Sequence, residues 1–206
     1  MQFEPIFKTY DEINAVAESF LASYSPDFSI FVDIEEILDN KLKIDIIPLP
    51  DLKNSFSRAG LDIDAFIAND FSSISVDEFI YHQRPNRLRF SLAHEIGHMF
   101  LHSYMYQEFT FESRDEWKKL IQDMSVEKRD MLERQADNFA GLVLVPRKVF
   151  KKEFYKAIKE AEDICEFKYD DNSDGIKKVI FRFLLPDKFK VSENVIRIRA
   201  SKDKII

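Results

Sequence analysis

Three of the four histidines in this chain stand at positions 94, 98 and 102, and the first two enclose a carboxylate in the run His94-Glu95-Ile96-Gly97-His98. On an α-helix, residues four apart lie about 40° apart around the axis and one turn along it, so both imidazoles reach one metal ion. A glutamate between them is placed to exchange protons with a water held at that ion, which is the chemistry of zinc-dependent hydrolysis. The bland alternative is a pair of histidines hydrogen-bonding in a half-buried helix with Glu95 solvated.

A catalytic zinc takes three protein ligands and keeps one position open. Glu133 and Asp137, also four apart, are the candidates for the third ligand. Glu133 ranks first, giving a His, His, Glu set, and Asp137 one turn on is placed to accept the free N–H of a ligand histidine. The two carboxylates can also exchange these roles, and Glu127 and Asp130 stand further off on the same helix. His102 lies one turn beyond His98. Three consecutive turns diverge from one tetrahedral ion, so His102 reads as an orienting or core-edge histidine unless the helix bends. For an oxyanion donor besides the metal, Tyr81, His82, Tyr104 and Tyr106 are all candidates.

These side chains need two helices to carry them. Leu88, Leu92, Ile96 and Met99 fall on the face opposite the histidines and predict a core-facing helix from Asn86 to about Tyr104. Gly97 costs this helix about 1 kcal/mol of propensity relative to Ala and is read as a close-packing position. A second helix after Ser125 runs to about Val145, where Pro146 stops it, and its small residues Ala136 and Ala140 permit close approach. Between the two, Ser113 to Glu116 caps a helix through Trp117, Leu120, Ile121 and Met124. A charged helix follows from about Arg147.

Upstream, Thr9 and Glu12 form a capping box before Ile13, Val16, Ala17, Phe20 and Leu21, and Asp33 with Glu36 repeats the signature before a short helix. Residues 42–46 alternate as a strand ended by Pro48 and Pro50. Residues 65–68 and 74–76 read as a hairpin about Asn69-Asp70. The segment 195–199 fits a strand or a helix. The fold class expected is α+β, mainly helical, with a small antiparallel sheet packed beside the helix that carries the HExxH run.

The 206 residues are 45% hydrophobic, enough to bury a substantial core. A net charge of −7 leaves no field to hold a phosphate backbone, so direct nucleic-acid binding is not expected. The single cysteine, Cys165, excludes an internal disulfide and a zinc site built from cysteine clusters, and it fits a reducing compartment. With no signal-like N-terminus and no run of about 18 uncharged apolar residues, a cytoplasmic protein without membrane attachment is expected.

The run Arg89-Phe90-Ser91-Leu92-Ala93-His94-Glu95-Ile96-Gly97-His98, with His102 after it, resembles the signature of the ImmA/IrrE zinc metallopeptidases, relatives of the thermolysin-like gluzincins. Glu133-Arg134-Gln135-Ala136-Asp137-Asn138-Phe139-Ala140, leading to Leu144-Val145-Pro146, is similar to the family's second signature. The resemblance implies one zinc ion held by His94, His98 and Glu133, with Glu95 as the catalytic carboxylate. It implies a protein substrate, with a helix-turn-helix transcriptional repressor as the kind suggested. The family often carries a separate helix-turn-helix domain, and none is found in this sequence. Residues 1–169 are expected to form the metallopeptidase domain and 170–206 a C-terminal extension packed on it. A non-proteolytic zinc-binding regulator and the toxin of a toxin–antitoxin pair are the competing functions. The oligomeric state is not legible.

Overall fold

The first helix, α1 (Tyr10–Tyr24), starts on a reciprocal cap: the Thr9 N–H donates to Glu12 Oε2 at 2.7 Å, and the Glu12 N–H donates to Thr9 Oγ1 at 3.3 Å. Two backbone donors that the helix leaves unpaired at its start are thereby satisfied. Ile13, Ala17, Phe20 and Leu21 bury along one face, while Val16 lies at its edge. The structure is a computed structural model, and it describes residues 4–27, 29–57, 63–108, 116, 119, 122–166, 168–169 and 174–205. Asp33 caps the short α2 (Ile34–Glu36), which widens into a π turn over Ile37–Leu42.

Strands β1 (Asp45–Leu49), β2 (Ala65–Ile67) and β3 (Ser73–Asp77) form one sheet in the order β1-β3-β2. The hairpin of β2 and β3 is antiparallel, with Ile67 opposite Ile74. β1 instead runs parallel to β3, with Asp45 opposite Ser73, so the sheet is mixed where an antiparallel one was expected. The cause is connectivity. The chain leaves β1 through α3 (Leu52–Ser57) and β2 before β3 returns beside β1, which is a crossover and not a tight turn. β1 also lies further along than residues 42–46 and contains Pro48. Its place at the sheet edge, paired among the described residues with β3 alone, tolerates a residue that cannot donate.

Asp77 ends the sheet and caps α4 (Glu78–Gln83), its Oδ1 accepting the Phe79 and Ile80 N–H groups at 3.1 and 3.3 Å. Pro85, suited to a first turn, opens α5 (Pro85–Glu108), and Leu88, Leu92 and Ile96 sink into the core with Met99 half-buried. The backbone of α5 leaves helical geometry at His102 (φ −127°, ψ 15°). Ser125 caps α6 (Val126–Leu144), and α7 (Arg147–Cys165) follows Pro146. The helix expected from Ser113 through Trp117 lies mostly outside the described residues. Beyond α7 come α8 (Asp174–Val179), a π turn over Ile180–Leu184, α9 (Leu185–Phe189) and α10 (Glu193–Lys202). Segment 195–199 is therefore helical, with Ser192 accepting the Val195 N–H at 3.3 Å.

One buried cluster joins these elements: Phe20, Ile34, Ile74, Leu92, Phe139, Phe150, Phe181, Phe189 and Ile196 all belong to it. The rings of Phe20, Phe100 and Phe139 meet with centroids 5.2 to 6.1 Å apart, which ties α1, α5 and α6 together. Two buried arginines brace the chain ends. Arg89 donates to the carbonyls of Val32, Phe189 and Lys190, and Arg199 pairs with Asp203 at 2.7 Å while donating to the Val145 carbonyl. Among the described residues, no helix is long and apolar enough to cross a membrane.

Candidate metal centre

The site depends on how closely α5 and α6 approach. A Cβ built on Gly97 would lie 3.1 Å from both Cα and O of Ala136 and 3.2 Å from Phe139 Cδ1. A side chain there would press on the Ala136 backbone, so Gly97 serves close packing and brings one turn of each helix into register. His94 and His98 then face Glu133 across the gap. His94 Nε2 lies 3.1 Å from Glu133 Oε2, His98 Nε2 lies 3.6 Å from Glu133 Oε1, and the two Nε2 atoms are 3.0 Å apart. One ligand atom from each of the three residues lies within 4.8 Å of the others.

The hydrogen bonds behind the rings decide what these nitrogens carry. His94 Nδ1 lies 2.9 Å from Asp137 Oδ1, an oxygen that accepts, so Nδ1 holds a hydrogen and Nε2 is the nitrogen turned toward Glu133. His98 Nδ1 lies 3.0 Å from His102 Nδ1, and His102 Nε2 lies 3.3 Å from Gln135 Oε1. Gln135 Nε2 donates to the Ile6 carbonyl at 3.1 Å, which fixes the amide with its oxygen toward His102. His102 therefore donates from Nε2 and accepts at Nδ1, and His98 donates from Nδ1 and presents a lone pair at Nε2. Two imidazole Nε2 atoms and a carboxylate converge on one point, an arrangement that a proton on His94 or a metal ion would balance. A tetrahedral zinc at about 2.0–2.1 Å from each nitrogen would separate them by about 3.3 Å, so the residues fit such an ion.

Electrostatics point the same way. Burial opposes charge on His94, but hydrogen bonds to Asp137 and Glu133 outweigh it and hold the ring's pKa well above 6.5. Burial drives His98 down to about 3 and His102 to about 4, so both are neutral. Glu133 overcomes burial through its hydrogen bond to His94 and the neighbouring imidazoles, and falls to about 2. The metal-free site thus holds one proton, at His94, where a cation would sit.

Glu95 is buried, and one of its oxygens is anchored: the Ile67 N–H on edge strand β2 donates to Oε2 at 2.9 Å. Burial pushes its carboxyl up to about 8. Of the four oxyanion candidates, Tyr106 sits in the field of both Glu95 and Glu133. Burial, followed by those charges, holds its hydroxyl well above 10, so it stays protonated. Tyr104 Oη accepts the Ile6 N–H at 2.9 Å, and Tyr81 stacks edge-on against His82.

The structure brings His94, His98, Glu133 and Asp137 together. His102 turns toward His98 and away from the cluster, and Glu127 and Asp130 are not part of it. Gln135, Ile67 and Ile6 take part without having been singled out from sequence. Only Gln135 left a signal, as a polar residue in the buried stripe Leu132, Gln135, Ala136, Phe139. A cavity of about 710 Å³ opens beside Asp137, bordered by Arg84, Arg87, Phe90, Ser91 and Asn138 among others.

Fold and site together are those of a metallopeptidase-like protein. Residues 80–201 match the M78 peptidase family model, described as an IrrE N-terminal-like domain, and the chain belongs to that family. The match runs from α4 into α10 and so includes both halves of the site. A Mycobacterium tuberculosis transcriptional regulator has a similar fold, with a TM-score of 0.51 and 16% sequence identity over 92% of this chain. This chain spans 46% of that one, under half its length. No curated protein matches the sequence.

Proposed function

We propose that the chain is a zinc-dependent endopeptidase in which His94, His98 and Glu133 hold one zinc ion and Glu95 is the general base. The observation that carries this is the convergence of two imidazole Nε2 atoms and a carboxylate on one point, with a second, buried carboxylate beside it. Bound zinc supplies the Lewis acidity that lowers the pKa of a water at its open position toward about 7. Glu95 would take a proton from the attacking water and return it to the leaving amine. The Ile67 N–H holds one Glu95 oxygen in place. Asp137 fixes the His94 ring. Tyr106, protonated and near both carboxylates, donates to the oxyanion.

The substrate class we propose is a polypeptide. A regulatory protein such as a helix-turn-helix repressor is the substrate that the ImmA/IrrE resemblance suggests. The test is zinc content and cleavage of a quenched-fluorescent peptide library by wild type and Glu95→Gln. The variant keeps about one zinc per chain and loses turnover by at least about 10²-fold. Equal cleavage by the two proteins removes Glu95 from the chemistry. A zinc-loaded wild type that cleaves nothing favours a non-proteolytic regulator.

A further inference from the structure

Behind His98, on the side away from Glu133, a line of hydrogen bonds crosses from α5 to α6 and ends on the backbone of the N-terminal segment. It runs from His98 Nδ1 to His102 Nδ1 at 3.0 Å, from His102 Nε2 to Gln135 Oε1 at 3.3 Å, and from Gln135 Nε2 to the Ile6 carbonyl at 3.1 Å. His102 is 0% exposed and Gln135 3%. The Ile6 peptide unit is held from its other side too, since its N–H donates to Tyr104 Oη at 2.9 Å. The Lys128 ammonium meets Glu4 at 2.7 Å and ties the same segment to the start of α6.

The line has one direction. A backbone carbonyl only accepts, so the Ile6 oxygen orders every hydrogen before it and the last bare lone pair falls on His98 Nε2. A neutral imidazole in water divides between two tautomers, and only the one with a bare Nε2 can ligate across this gap. His94 has an acidic partner, Asp137, to select its tautomer. Among the described residues the partner behind His98 is His102 and not a carboxylate, and the same selection comes from a neutral relay.

We propose that His102 and Gln135 are positioning residues, and that the Ile6 carbonyl sets the direction of a relay that fixes the tautomer and ring orientation of His98. The consequence for metal affinity rests on the reading of His98 as a ligand; the tautomer does not. The backbone break at His102 falls where its ring joins the relay. The N-terminal segment thus becomes part of the site without touching the reacting atoms.

The experiment pairs nitrogen-15 NMR of the histidine rings in the metal-free chain with zinc affinity by chelator competition. It uses wild type, Gln135→Leu and Gln135→Glu, with folding of each checked by thermal unfolding. Wild type shows His98 protonated at Nδ1 and bare at Nε2. Gln135→Leu gives a mixed His98 tautomer and a zinc affinity about 10–100-fold weaker. Gln135→Glu keeps an acceptor for His102, so it restores the tautomer and most of the affinity although Ile6 loses its donor. A folded Gln135→Leu protein with the wild-type tautomer and affinity overturns the proposal, as does a folded Gln135→Glu protein that resembles Gln135→Leu. A wild-type chain with the expected tautomers that binds no zinc supports the relay and fails the metal reading instead.

Discussion

Glu133 and Asp137 are carboxylates one turn apart, yet His94 meets them through different nitrogens: Nε2 toward Glu133 and Nδ1 toward Asp137. The first contact lies on the ligand side of the ring and the second behind it, so their removal has unequal cost. Asp137→Ala weakens zinc binding about 10–100-fold by freeing the ring, whereas Glu133→Ala removes a ligand and costs more than that. Chelator competition measures both, and equal losses would contradict the assignment. The pairs His94–His98 and Glu133–Asp137 were legible because helical periodicity carries each pair on one element. Gln135, the Ile67 N–H and the Ile6 carbonyl were not, because each meets its partner across elements that sequence alone does not bring together.

Where α5 and α6 cross, the deciding residue is the one without a side chain. Adding a Cβ at Gly97 would gain about 1 kcal/mol of helix propensity. It would also press on Ala136 at 3.1 Å, against backbone atoms that cannot swing aside, and such overpacking costs about 1–3 kcal/mol. Gly97→Ala is therefore expected to lose on the order of 1 kcal/mol net in thermal unfolding, with a weaker zinc site because the helices part. Unchanged stability would mean that the crossing is looser than described. The longer helices and the caps at Thr9, Asp33 and Ser125 were readable from local chemistry, whereas the segment after Ser192 fitted a strand or a helix until its packing placed it as a helix. Strand direction was not readable: β1 alternates equally well in either sense, and only the crossover through α3 makes it parallel to β3.

Across the whole molecule, residues 174–205 share the core of α5 and α6, and Arg89 and Arg199 reach buried carbonyls far along the chain. Neither arginine announced this in sequence, since a lone Arg reads as surface until a fold surrounds it.

The claim to which all of this leads is that one cation replaces one proton among His94, His98 and Glu133. His94 holds that proton with a pKa raised well above 6.5, so the metal-free site is protonated at neutral pH and a metal must displace it. Calorimetric titration of the metal-free chain with zinc, in buffers of differing ionisation enthalpy and at several pH values, reads stoichiometry and proton release together. The expected result is one zinc per chain with a proton released. Affinity should weaken about tenfold for each unit that pH falls below the raised His94 value, and His94→Ala should abolish tight binding. A stoichiometry other than one, an affinity indifferent to pH, or tight binding that survives His94→Ala would contradict it.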